Sequence, residues 1–232
     1  MVSDSSGAPP ELIGHKFKNP ELLSEALTHR SYSVENGLAR DNQRLEFLGD
    51  AALQIILTEH IFRRYGEADE GSMTQMRSAL ARQETLADMA RALSLQDHVR
   101  MGKGETDAGG NTRVSTLSDF FESVLGAVYL DGGIEAARNF VEPLIGRLFP
   151  DPQSLLLELN PKGALQELSL RKWSVTPVYT VLEIKGPDHD PLFTVSVEIN
   201  GRVLASGTDK SRRAAEKAAA VKALEALKKE TL

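Results

Sequence analysis

The chain has 232 residues, 41% of them hydrophobic and 26% charged, with a formal net charge of −6. That is an ordinary globular composition, long enough for one large domain or two modest ones. The absence of cysteine excludes disulfides and thiolate metal sites, and no run of 18 apolar residues is present to span a membrane.

Charge is divided unevenly. Residues 1–150 carry 15 basic and 22 acidic side chains, whereas residues 161–232 carry 12 and 9. The division suits metal or acid chemistry in the first part and polyanion binding in the second, although solvated faces alone produce such asymmetry. The opening MVSDSSGAPP lacks a basic n-region and an apolar h-region, so it reads as a short tail rather than a secretory signal. With the missing cysteines, this suits a cytoplasmic protein.

Helical periodicity runs through ELLSEALTHR (21–30), RLEFLGDAALQIILTEHIFRRY (44–65) and MTQMRSALARQETLADMARALSL (73–95). It continues in STLSDFFESVLGAVYLD (115–131) and IEAARNFVEPLIGRLF (134–149), divided by Asp131-Gly132-Gly133. GKGETDAGGNTR (102–113), with four glycines and no periodicity, reads as a loop. No strand pattern precedes residue 170. FPDPQS (149–154) opens a connection that ends near Asn160-Pro161. Beyond it, GALQELSLRK (163–172) reads as a helix, PVYTVLEIK (177–185), FTVSVEI (193–199) and RVLASG (202–207) alternate as strands, and KSRRAAEKAAAVKALEALKKE (210–230) closes as a helix. Asn200-Gly201 between the last two strands is the pair that a type I′ hairpin favours. The expected architecture is an all-α domain over 8–150 followed by a small α+β domain over 161–230, of order α-β-β-β-α with a three-stranded antiparallel sheet.

Two acidic pairs stand out. Glu46 and Asp50, four apart, share a face of an otherwise apolar helix, and Asp119 and Glu122, three apart, do the same. Like charges at these spacings repel, and burial sharpens the cost. None of the four has a Lys or Arg three or four residues away in its own helix. If the two helices pack side by side, the carboxylates converge into an all-oxygen cluster suited to Mg²⁺ or Mn²⁺. Such ions activate water and stabilise the leaving oxygen of a phosphodiester. The bland alternative makes these acids helix-end charges or partners of distant arginines such as Arg44, Arg77 or Arg82.

On the last helix Lys210, Arg212, Arg213, Lys217 and Lys222 surround a single acid, Glu216. Their charge adds to the positive helix N-terminus, which makes a phosphate-binding end, though a solvated basic helix has the same composition. The helix–three strands–helix order favours binding of double-stranded RNA, a duplex read by shape. His29 reads as structural. No Walker, GxSxG, HExxH or Rossmann motif is present, and no organic cofactor is expected.

Together these residues resemble bacterial ribonuclease III. NQRLEFLGDAAL resembles the family signature and SDFFESVLGAVYLD its second acidic motif; ALTHRSY (26–32), DEGSMTQMR (69–77) and the GKGE…GG loop follow in order. PKGALQE, GPDH and KSRRAAEKAA resemble a double-stranded-RNA-binding domain. The resemblance implies a Mg²⁺-dependent endoribonuclease that cuts double-stranded RNA to 5′-phosphate and 3′-hydroxyl ends in ribosomal and messenger precursors, acting as a homodimer. It implies that Glu46, Asp50, Asp119 and Glu122 hold metal, with Asp50 and Glu122 catalytic, and that Glu70 is an auxiliary acid. Phe47 matches an aromatic that plugs into a pocket on the second subunit. Gln166 and Glu167 match a helix segment facing one minor groove and His189 a residue reaching the next. Arg212 and Arg213 match the cations that grip phosphates between them, with Lys210 and Lys217 as further candidates. Gln43, where some members carry Glu, departs from the pattern; so do Gly163, Leu170 and Asp209 in the tail. Two rival readings are a non-cutting RNA-binding regulator and a purely structural helical dimer.

Overall fold

A computed structural model describes residues 14–151, 160–187 and 190–229, and two compact units divide the chain between Pro152 and Gln153. The first unit contains helices α1 (Pro20–Ala26), α2 (Arg30–Glu35), α3 (Gln43–Arg64), α4 (Glu70–Leu80), α5 (Gln83–Ala92), α6 (Lys103–Asp107) and α7 (Val114–Leu148). Pro20 occupies the first turn of α1, where its missing N–H costs nothing, and the Asn19 side chain accepts from Glu21 N–H. The Asp69 carboxylate caps α4 in the same way by accepting from Ser72 N–H.

Three local features differ from the sequence expectation. The pattern over 73–95 is two helices, because Arg82 is extended (φ −77°, ψ 155°) and starts α5 afresh. A separate helix, α2, follows α1 because the His29 ring accepts from Ser31 N–H and caps it. The glycine-rich stretch 102–113 is not wholly loop: it holds α6 and a 3₁₀ turn at Gly110–Thr112, and Arg113 pairs with Glu105 at 2.8 Å across it.

The core of this unit is the packing of α3 and α5 on α7. Leu53, Ile56 and Leu57 of α3 and Phe120, Phe121, Val124 and Leu125 of α7 are fully buried. Gly133 interrupts α7 with φ 76°, ψ −172°, a conformation open to glycine but costly for other residues. Just before it, the Asp131 carboxylate accepts from the backbone N–H groups of Lys18 and Asn19 and pairs with His15, tying the entry of α1 to α7.

The second unit runs α8 (Pro161–Trp173), β1 (Val178–Lys185), β2 (Leu192–Ile199), β3 (Arg202–Asp209) and α9 (Arg212–Lys229), with an antiparallel sheet of order β1-β2-β3. Asn200 and Gly201 both have positive φ (53° and 75°), as the expected hairpin requires. Leu165 of α8, Val197 and Ile199 of β2, and Ala219, Ala220, Ala223, Leu224 and Leu227 of α9 form its core. The alanines allow α9 to lie close on the sheet and leave its basic residues outward.

Candidate active site

The carboxylate cluster is set by the crossing of α3 and α7. Gly49 and Gly126 meet there with backbone against backbone. A Cβ on Gly49 would stand 1.8 Å from the carbonyl oxygen of Glu122, and one on Gly126 would stand 2.0 Å from that of Leu45. Glu46 and Glu122 each lie one helical turn before these glycines, so the close approach forces their side chains together. Carboxylate oxygens of Glu46, Asp119 and Glu122 come within 4.8 Å of one another.

The cost of this convergence appears in their proton affinities. Burial, then the charges of Asp50, Glu46 and Asp119, push Glu122 from 4.5 up to about 8. Burial and the charges of Asp119, Asp41 and Asp50 push Glu46 up to about 7. Asp119 is raised chiefly by burial, with His29 opposing the rise. Among the described residues none of the four acids has an ion-pair partner; Arg77 instead donates to Thr58 Oγ1 at 3.1 Å and Arg82 pairs with Glu84 at 3.8 Å. None of the three distant arginines of the bland reading therefore pairs with these acids.

Asp50 stands apart from the three-acid group. It is exposed and accepts from Gln54 Nε2 at 3.3 Å, while its charge still acts on Glu46 and Glu122. Glu70 is not in the cluster. It lies at the start of α4 on a separate pocket of about 240 Å³ lined also by Thr58, Ile61, Phe62, Met73 and Arg77. Gln43 accepts from Arg30 Nη1 at 3.0 Å. Phe47 is 82% exposed, the most exposed of the large apolar side chains described.

Two features escaped the sequence reading. The glycine pair was legible in principle, since a glycine inside an apolar helix costs about 1 kcal/mol relative to alanine and calls for a packing reason. Asp41, which accepts from Gln43 N–H at 3.1 Å at the start of α3, adds to the charge on Glu46. It lies outside the periodic segment and gave no signal of its own.

In the second unit, Gln166, Arg213 and Lys217 line one cleft of about 690 Å³ with Asn160, Lys162 and Tyr179. Arg212 is exposed at the start of α9 but is bonded to Glu216, and Lys210 pairs with Asp190 at 2.9 Å. Glu167 is exposed on α8 and does not line the cleft. His189 lies outside the described residues.

A helical body with an acidic cluster, joined to an α-β-β-β-α unit with a basic helix start, defines a nuclease class that binds double-stranded RNA. Residues 19–148 match the model of the Ribonuclease-III-like family, and residues 161–227 match the double-stranded RNA binding motif. The chain is 42% identical over 214 residues to "Ribonuclease 3" of Symbiobacterium thermophilum, covering 92% of this chain and 91% of the relative. It is 44% identical over 209 residues to "Ribonuclease 3" of Leifsonia xyli subsp. xyli, covering 90% and 88%. Among solved structures, the nuclease domain of ribonuclease III from Campylobacter jejuni, described as having a flexible region involved in dimer formation, is similar with a TM-score of 0.58 and 35% identity. That match covers 61% of this chain and 96% of the solved one. The chain belongs to the ribonuclease III family, endoribonucleases acting on double-stranded RNA.

Proposed function

We propose that the protein is a Mg²⁺-dependent endoribonuclease in which Glu46, Asp119 and Glu122 hold the metal, Asp50 completes the set, and Asp50 and Glu122 serve the reaction directly. The observation that carries this is the convergence of three acids that pair with no Lys or Arg among the described residues. Their all-oxygen donor set fits a hard divalent ion, and protons held up to about 7 and 8 on Glu46 and Glu122 mark where positive charge is wanted. A divalent cation bound there supplies the charge that lowers the pKa of water and stabilises the phosphoryl transition state.

The side chains do the rest. With a cation held there, the acids would release their protons to solvent and their charge would be offset before an incoming phosphate. Asp50, exposed and outside the three-acid group, orients the attacking water in this reading, with Gln54 steadying its carboxylate. Water oxygen bonds to phosphorus as the bond to the 3′ oxygen breaks; the water gives up a proton to solvent, and the departing oxygen takes one from it. The products are a 5′-phosphate and a 3′-hydroxyl.

Binding and assembly complete the reading. Gln166 and Glu167 on α8, His189 between β1 and β2 in the sequence, and Lys210, Arg212, Arg213 and Lys217 around the start of α9 follow the duplex by backbone contacts rather than base sequence. Phe47, Ala51, Ile55 and Phe62 form an exposed apolar stripe on α3. In a symmetric homodimer, Phe47 of one copy enters the pocket between α3 and α4 of the other, with Glu70 at its rim in an auxiliary role. Such a dimer presents two sites and cuts both strands. The setting is the cytoplasm and the substrates are duplex stems of ribosomal and messenger precursors.

The test is cleavage of an end-labelled RNA duplex with Mg²⁺, with Mn²⁺ and with EDTA. Expected are metal-dependent cuts, product 5′-phosphates and no cleavage by Glu122→Ala. Duplex binding without cleavage under any metal would replace this reading with that of a non-cutting regulator.

A further inference from the structure

Glu216 is the only acid between Lys210 and Lys222, a stretch whose other charges attract phosphate. An exposed carboxylate there would weaken polyanion binding. Glu216 is not exposed: it is 9% accessible and accepts from two cations. Arg212 Nε donates to its Oε1 at 2.9 Å, one turn earlier on α9, and Lys162 Nζ donates to its Oε2 from the first turn of α8. Lys162 is held on a second side by Tyr179, whose ring centroid lies 4.6 Å from Nζ.

These contacts consume little of what the cations offer. An ammonium has three donors and a guanidinium five, and one of each goes to Glu216. The three charges sum to +1, and the cations are fixed where the N-termini of α8 and α9 come together. Lys162 lines the same cleft as Gln166, Arg213 and Lys217. The carboxylate therefore costs the surface one unit of charge and in return fixes two long side chains before RNA arrives, so their rotamer freedom is not lost on binding.

We propose that Lys162 is a further contact for the phosphate backbone of double-stranded RNA and that Glu216 is the positioning residue for Lys162 and Arg212. The proposal rests on the assignment of the C-terminal unit as the RNA-binding one, and it gives Glu216 a supporting role where charge alone makes it a defect.

The test is duplex affinity of the full chain, measured by fluorescence anisotropy in EDTA from 0.05 to 0.5 M salt. Intact duplex is confirmed by gel afterwards, and Arg213→Ala serves as reference. One phosphate contact contributes a slope of about 0.9 in log K against log salt, which amounts to about eightfold at 0.1 M relative to 1 M. Lys162→Ala is expected to weaken binding by about that factor and flatten the slope by nearly one, with Lys162→Arg retaining most affinity. Glu216→Gln is expected to weaken binding despite removing a negative charge. In that background Lys162→Ala should cost less than twofold, an interdependence that loss of fold does not mimic when circular dichroism and melting are unchanged. Should Glu216→Gln not fold, the Lys162 pair still decides. Tighter or unchanged binding by folded Glu216→Gln, or an unaltered slope for Lys162→Ala while Arg213→Ala weakens binding, overturns the proposal. A wild-type chain that binds no duplex overturns the RNA-binding assignment as well.

Discussion

Replacing Glu122 by Gln should stabilise the metal-free protein at alkaline pH and abolish cleavage. Glu122 binds its proton up to about 8 in the folded chain, against 4.5 for an unperturbed group, because burial and then its acidic neighbours disfavour the charged form. The folded state therefore holds this proton more tightly than the unfolded state, and the stability it contributes is complete below 4.5 and lost as pH climbs through about 8. At about 1.4 kcal/mol per pH unit the full displacement corresponds to roughly 5 kcal/mol. The side chain is only half-buried, and solvent screening brings the figure down to about 2 kcal/mol. Gln cannot ionise and has the size and polarity of the protonated acid. Urea unfolding in EDTA should show no more than a few tenths of a kcal/mol between wild type and variant at pH 5, and a variant more stable by about 2 kcal/mol at pH 9. A difference that is the same at both pH values, or a variant less stable at pH 9, would refute the argument that the cluster is an electrostatic cost relieved by protons or metal.

Two further changes probe how the site is built and how copies assemble. Gly49→Ala places a methyl group where the backbone of Glu122 already stands, so α3 and α7 must separate. It should cost about 3 kcal/mol in urea unfolding and lower duplex cleavage further than the unfolded fraction explains; a loss below about 1 kcal/mol would show that the crossing has slack. Phe47→Ala removes the most exposed large apolar side chain described. Truncating such an anchor at the centre of an interface costs 2 kcal/mol or more, a dimer dissociation constant weakened by at least about 30-fold. Sedimentation velocity over a concentration series reads this directly, and an unchanged dimer would remove Phe47 from the interface.

How much of this was legible in the sequence depended on whether the information was periodic. The four acids were visible as charges on apolar helical faces, and the lack of local cations around them pointed to something external. The strands were visible as alternation, and Asn200-Gly201 fixed the hairpin between β2 and β3. What failed were features set by one residue's local conformation or cap rather than by the periodic pattern. The His29 ring caps α2 and creates a helix where the pattern shows none, and the extended Arg82 divides 73–95 although its apolar spacing runs on. Long-range partners were equally hidden. Lys162 and Glu216 are 54 residues apart, and no local count of charges assigns one to the other.

The same distinction separates the two kinds of acid in this chain. Glu46, Asp119 and Glu122 have no Lys or Arg three or four residues away in sequence and pair with none among the described residues, and burial, with the neighbouring acids acting on the two glutamates, raises their proton affinity. Glu216 also looks misplaced in sequence, yet Lys162 and Arg212 hold its proton affinity below the ordinary value against the opposing effect of burial. An uncompensated acid waits for a ligand, whereas a compensated one fixes its neighbours. Only the fold, by showing whether a distant cation arrives, decides which of these an isolated carboxylate is.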